Sequence, residues 1–461
     1  MKLLFKGDTC AIKIIRKISL QPDAVYKLSR FVFPFETEGR FLLSSTLTKQ
    51  VYELDAEEWK DLQSGIFAGE YRDELARVGF LIEKDYDELS KYHMVLKTLQ
   101  AMSKKPKGLS NYTVLPTTAC NARCPYCYEE GIAPVNMTRE TADAVIDFIC
   151  RTKKDGKIHV DWFGGEPLLG AATISYICRG LKDRGVEFNS GMTTNATLLT
   201  SEMMREAKEL WNLERAQVSM DGAKPDYERR KCYINPERHN YEAAMKAVEL
   251  MADAGVTVYI RCNYDEGNLP RLPEFFHDCR ERFGDRENVS LYPSELFQSS
   301  EKKREANLHF DVSEMEKALG KMAVADRANL PSQLRWRYCM ADCSGNSVII
   351  DPQGGLHNCE HFLDHADSLG SIFDEKLPYW EWTGEEADIC KNCCFLPVCT
   401  PFRRIGCPVK PEDCREEKEL FQKRALLNLL KNAETGADSA RAEADAEDAD
   451  CSEDYAEDNP C

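Results

Sequence analysis

The spacing of apolar residues changes near residue 112. Upstream, RFLLSS (40–45) and QVYEL (50–54) alternate as a strand pair closed by a short turn. DAEEWKDLQSGIF opens at Asp55, a good N-cap, and spaces its apolar residues for a helix. EYRDELARVG reads as a second helix ending at Gly79, and FLIE as a returning strand. KYHMVLKTLQAMSKKPKG (91–108) is a helix that runs into a basic linker containing Pro and Gly. Short helices between strands predict a winged-helix-like module over residues 1–102.

From Tyr112 onward, strands and helices alternate. TVLP, KIHVDWF, VEFNSGMTT, RAQVSM, VTVYIRC and NVSLYP are strand-like. The amphipathic segments between them include TRETADAVIDFICRTK, with Thr138 as N-cap of an imperfect capping box, and NYEAAMKAVELMADAG. Six strands with intervening helices predict an α/β fold, a partial (β/α)6 TIM-type barrel over residues 103–310. In such barrels chemistry sits at the C-terminal ends of the strands. An amphipathic helix is expected near 311–327, followed by a cysteine-rich segment and a closing helix at 416–432. Residues 311–432 are expected to form a third domain.

Composition sharpens this picture. Hydrophobic residues at 43% and charged residues at 30% are ordinary for a globular chain. The start, MKLLFKGDTC, is too short and too charged for a signal-peptide core, and no apolar run is long enough for a membrane span. A cytoplasmic location with reduced thiols follows as the expectation. The net charge is −18, but residues 433–461 hold eleven Asp and Glu against one Arg and read as a disordered acidic tail. No basic stripe with interleaved aromatics suggests a nucleic-acid partner.

Twenty cysteines in such a chain point to metal or cluster ligation rather than disulfides. Cys150, Cys178, Cys232, Cys262 and Cys279 fall within helix and strand patterns and read as small buried apolar residues. Cys120, Cys124 and Cys127 differ, since they crowd one loop after the first barrel strand. A four-iron cluster normally takes four thiolates, so three leave one iron open. Catalytic zinc also takes three protein ligands, and the triad alone leaves both readings standing. Gly164-Gly165-Glu166-Pro167 follows the second strand, Thr193-Thr194-Asn195 the third, and Ser219 ends the fourth.

On these residues the sequence resembles the radical S-adenosylmethionine (radical SAM) enzymes over residues 112–300. The resemblance implies that Cys120, Cys124 and Cys127 hold a [4Fe-4S] cluster whose open iron chelates SAM. It implies further that Tyr126, Gly164, Gly165, Glu166 and Pro167 lie against the cofactor and that Thr194 and Asn195 contact the ribose. Ser219, with Arg261 as a second candidate, would hold the SAM carboxylate. Ala196 stands where the family usually has glycine.

Downstream, Cys339, Cys343, Cys359, Cys390, Cys393, Cys399, Cys407 and Cys414 resemble the SPASM extension, which binds two auxiliary [4Fe-4S] clusters. By order, Cys339, Cys343, Cys359 and Cys407 would hold the first, and Cys390, Cys393, Cys399 and Cys414 the second. Cys394 and His361 would be bystanders or substitutes, and the alternative is a pair of structural zinc sites. Enzymes of this resemblance mostly act on peptides. The implied function is maturation of a leader-bearing ribosomal precursor peptide, with a Cys thioether (ranthipeptide-type) crosslink first among products. A flavodoxin or ferredoxin reductant is implied as well. The alternatives are anaerobic sulfatase maturation by formylglycine formation and a non-catalytic zinc-stabilised binding protein. Asp221 and Asp265, just past strand ends, are candidate acids or bases.

Overall fold

The computed structural model describes residues 2–5, 25–37, 39–48, 50–65, 67, 69–102, 108–127, 129–296, 323–324, 347–357, 368–375 and 393–394. The chain falls into two compact units, one formed by 1–105, 328–339 and 382–461, the other by 106–327 and 340–381.

In the first unit, β1 (Lys2–Phe5), β3 (Val32–Thr37), β4 (Arg40–Ser45) and β5 (Val51–Leu54) make an antiparallel sheet in the order β1-β5-β4-β3. β2 (Tyr26–Leu28) pairs with β6 (Leu81–Glu83) in a two-stranded ribbon. Helices α1 (Ala56–Ser64), α2 (Gly69–Arg77) and α3 (Glu88–Met102) complete it. The expected cap at Asp55 is present: its carboxylate accepts from the Glu57 and Glu58 amides, and the Asp55 amide donates to the Glu58 carboxylate. Gly65 closes α1 in the left-handed region at φ 68°. One sheet face packs Val32, Leu43, Tyr52 and Leu54 against Leu62 and Leu75 of the helices. Phe33, Phe35, Leu42 and Val51 form a separate cluster that also takes in Cys393 and Cys394.

The second unit holds the expected barrel strands. β7 (Asn111–Thr117), β8 (Ile158–Gly164), β9 (Phe188–Thr194), β10 (Leu213–Met220), β11 (Thr257–Tyr264) and β12 (Val289–Glu295) pair in parallel, each with its neighbour in sequence. α4 (Arg139–Thr152), α5 (Ala171–Asp183), α6 (Ser201–Glu209), α7 (Lys224–Lys231), α8 (Tyr241–Asp253) and α9 (Leu272–Phe283) lie between them. β13 (Ala323–Val324) extends the sheet beside β12, where the sequence pattern suggests helix; two residues paired to an open edge satisfy that edge's backbone. β14 (Ser347–Ile350) adds in parallel beside β7, and β15 (Leu356–His357) closes antiparallel on β14. Among the described residues, eight parallel strands thus form a partial barrel. The rest of the 311–327 helix, the 416–432 helix and the acidic tail lie outside the described residues.

Alternation on each strand separates two environments. Ile158, Val160 and Trp162 of β8 and Val258, Ile260 and Cys262 of β11 are buried in the same core as Val145 and Ile149 of α4 and Ala244 and Val248 of α8. Side chains of this size stabilise by about 1.5–3 kcal/mol each when fully buried. The intervening residues, such as His159, Asp161, Gln217, Ser219, Tyr259 and Arg261, therefore face the barrel interior. Cys178, Cys262 and Cys279 are buried as expected, and Cys150 is partly buried. Cys232 is not: it is exposed, in the left-handed region at φ 47°, where α7 ends.

Candidate active site

The loop joining β7 to α4 carries Cys120, Cys124 and Cys127. Its base is tied by polar side chains. Thr117 Oγ1 donates to Asn136 Oδ1 (2.7 Å) and accepts from the Ala119 amide (2.9 Å). Thr118 Oγ1 donates to the Ala133 carbonyl (2.7 Å). Further along, the Arg123 guanidinium donates to the Cys120 carbonyl (2.7 Å), and the Cys127 amide donates to the Cys124 carbonyl (3.1 Å). Cys120 Sγ accepts from the Ala122 amide (3.4 Å). Burial pushes the Cys120 thiol up to about 12 and raises those of Cys124 and Cys127. Two half-buried thiols and one exposed thiol on a single loop suit a four-iron cluster, which takes each thiolate on a different iron.

The double glycine at the end of β8 packs against this loop. A Cβ on Gly164, at φ 116°, would come within 2.2 Å of the Thr117 carbonyl oxygen; one on Gly165 would come within 2.5 Å of those of Thr118 and Ala119. The close approach that demands glycine here is therefore to the cysteine loop's own backbone. Glu166 follows, completely buried. Its carboxylate accepts from Thr194 Oγ1 (2.6 Å) and from the amides of Asn195 (2.8 Å) and Leu168 (3.1 Å). Burial pushes this carboxyl upward, and those three donors hold it back. Pro167 begins the short 3-10 turn Pro167–Gly170.

Thr194 and Asn195 are themselves buried and engaged. Asn195 Nδ2 donates to Asn121 Oδ1 (2.8 Å), and Asn121 Nδ2 donates to Thr197 Oγ1 (3.1 Å). The two side chains lock the ends of β8 and β9 to the cysteine loop. Ala196 adopts φ 62°, the conformation for which the family's glycine is suited.

Ser219 and Arg261 are register partners on β10 and β11, both half-buried and facing the interior. Among the described residues, Arg261 Nε is buried and meets no hydrogen-bond partner. An orphaned guanidinium nitrogen beside a hydroxyl fits a carboxylate ligand, because an unmet buried donor is costly.

Tyr126 points its hydroxyl inward, donating to Asp221 Oδ2 at 2.5 Å and accepting from Lys231 Nζ at 3.3 Å. Asp221 also pairs with Lys231 (3.4 Å) and accepts from Asn263 Nδ2 (3.0 Å). Asp265 is gripped by both terminal nitrogens of Arg230 (2.9 and 2.7 Å). Both proposed acid–base carboxylates are thus committed to ion pairs. Asn121, Thr197 and Lys231 carry no mark in the sequence that singles them out; Lys231 ends a basic run, ERRK, that reads as a solvated helix face.

Of the second cysteine set only Cys393 is described. It is half-buried, and the carbonyl of the adjacent Cys394 accepts from Thr46 Oγ1. Cys339, Cys343, Cys359, Cys390, Cys399, Cys407, Cys414 and His361 lie outside the described residues.

Residues 114–267 match the radical SAM superfamily. A probable GTP 3′,8-cyclase of Halobacterium salinarum is 26% identical over 68% of this chain and 83% of its own. An AdoMet-dependent heme synthase of Oleidesulfovibrio alaskensis is 24% identical over 35% of this chain and 40% of its own. Among solved structures, native anSMEcpe with bound AdoMet and Cp18Cys peptide superposes with a TM-score of 0.54 at 14% identity, covering 70% of this chain and 99% of that one. At that identity the likeness establishes the fold.

Proposed function

From a chain that carries a radical SAM domain, and is on that ground a radical SAM enzyme, we propose that the substrate is a ribosomally made precursor peptide and the product a crosslink, with a Cys thioether first. The observation that carries the site assignment is the buried clamp of Glu166 on Thr194 and Asn195, which fixes the cysteine loop across successive strand ends. Cys120, Cys124 and Cys127 would hold the SAM cluster. Bound there, the cluster and SAM would supply radical chemistry for hydrogen abstraction from the substrate. The chain's own part is to hold and shield. Arg261 and Ser219 present donors to the methionine carboxylate, the Gly164–Gly165 backbone shapes the wall beside the loop, and the barrel around them excludes water.

Two features support a peptide substrate. The anSMEcpe structure, alike in fold, contains a peptide. In the N-terminal sheet β3 stands at an edge, pairing with β4 alone among the described strands. An extended leader can add to such an edge through its backbone. The SPASM reading of Cys339 through Cys414, with two auxiliary clusters, belongs to this proposal, as does a flavodoxin or ferredoxin electron donor. The cyclase names of the relatives favour a second reading, a nucleotide substrate such as GTP.

Anaerobic reconstitution followed by iron and sulfide analysis and mass spectrometry of candidate peptides tests the proposal. Loss of two hydrogens per site marks a crosslink, and loss of a cysteine sulfur marks formylglycine. Conversion of GTP with no change in any peptide supports the cyclase reading. Zinc in place of iron overturns the enzyme assignment.

A further inference from the structure

The end of α7 supplies three consecutive basic residues, and each meets a different aspartate: Arg229 with Asp226 (2.9 Å), Arg230 with Asp265 (2.7 Å) and Lys231 with Asp221 (3.4 Å). The first two pairs include a side chain with solvent access. The third does not, for the Lys231 side chain is 4% exposed and that of Asp221 0%. Burying two charges is costly, and replacing such a pair by apolar residues is often neutral or stabilising. Fold stability is therefore a poor reason for this pair to stand here.

Its surroundings suggest a better one. The Lys231 carbonyl accepts from the Arg123 amide (3.0 Å), so the residue is fastened to the middle of the cysteine loop. Its ammonium reaches the Tyr126 hydroxyl and lies 6.0 Å from that ring's centroid. Tyr126, two residues after Cys124 and one before Cys127, is therefore held between the two charges, donating to Asp221 and accepting from Lys231.

We propose that Lys231 is a positioning residue for the cysteine loop, a fixed buried cation that seats the Cys124–Cys127 turn through Tyr126 and favours the reduced, more negative state of a cluster held there. The proposal rests on the reading of Cys120, Cys124 and Cys127 as cluster ligands. One electron from an external low-potential donor adds one negative charge to the site, with no proton or bond exchanged. A cation behind the second cysteine makes that addition easier, and an unbalanced anion makes it harder.

The test is a redox titration of the full-length, reconstituted protein, following the electron paramagnetic resonance signal that changes when SAM is added. Lys231→Met should shift this midpoint to more negative potential and slow 5′-deoxyadenosine formation. Asp221→Asn, which keeps an acceptor for Tyr126 while removing the countercharge, should shift it the opposite way. Lys231→Arg should stay near the native midpoint. A merely structural role would lower cluster occupancy in both charge variants without opposed shifts. Unchanged midpoints, or shifts in the same direction, overturn the proposal. If Lys231→Met does not fold, the direction in Asp221→Asn decides alone. A native protein with no SAM-sensitive signal would refute the cluster reading itself, a distinct outcome.

Discussion

Asp161 and Asp221 both pair with a basic side chain within the same barrel, yet under opposite conditions. Asp161, on β8, meets Arg215 near the N-terminal end of β10 (3.0 Å), with side chains 36% and 52% exposed. His159 Nε2 lies 3.0 Å from the same carboxylate. Gly191 leaves room for this pairing, since a Cβ there would come within 2.2 Å of Asp161 Oδ1. Asp221, beyond the C-terminal end of β10, meets Lys231 with almost no exposure on either side. Solvated pairs contribute little and cost little, whereas buried pairs are costly to desolvate. The barrel places its expensive charges, Glu166, Asp221 and Lys231, around the cysteine loop, the end where barrel chemistry resides. That asymmetry separates the end carrying the cysteine loop from the rest of the barrel.

The contrast predicts graded effects. Glu166→Ala strands the Thr194 hydroxyl and the Asn195 and Leu168 amides, and should lower unfolding free energy by about 3–5 kcal/mol in urea titration. Gly164→Ala puts a Cβ into the Thr117 carbonyl at a left-handed φ, and should cost about 2–4 kcal/mol together with iron loading at the three cysteines. Asp161→Asn should cost only about 0.5–1 kcal/mol and leave 5′-deoxyadenosine production intact. If it abolished activity, the division between the two ends would fail.

The same residue gives a pH test. Burial acts against the Asp161 carboxylate, but His159 and Arg215 outweigh it and hold its pKa below the usual value. Its stabilising contribution is present above the unfolded carboxylate pKa and is lost as pH falls through the lower folded value. Thermal melts between about pH 5 and 3 should therefore converge for the native and Asp161→Asn proteins as the acid limit is approached. Smallest of all, Ala196→Gly relieves a left-handed alanine at φ 62° but adds freedom to the unfolded chain, so a gain between zero and about 1 kcal/mol is expected in the same melts.

What could be read from sequence followed the range of each signal. The six barrel strands announce themselves by local alternation, and Asp55 and Thr138 by residue type at helix starts. The three cysteines and the double glycine stand out because few other roles require them at that spacing. Lys231, Asn121 and Thr197 carry no such local mark. Lys231 sits more than a hundred positions from Tyr126, and its neighbours Arg229 and Arg230 make it look like part of a solvated run. Only the fold shows that α7 ends against the loop. The ion pairs of Asp221 with Lys231 and of Asp265 with Arg230 likewise have no local mark in the sequence. Ala196 was legible as a departure from the family pattern, and the structure supplies its meaning in the backbone angle.

The proposed function requires an incompletely ligated iron held by Cys120, Cys124 and Cys127. The most direct measurement is chromatographic detection of 5′-deoxyadenosine after reducing the reconstituted protein with SAM, alongside Cys124→Ala. The account predicts release by the native protein and none by the variant. Absence of release from native protein with full iron loading, or equal release from both, would contradict it.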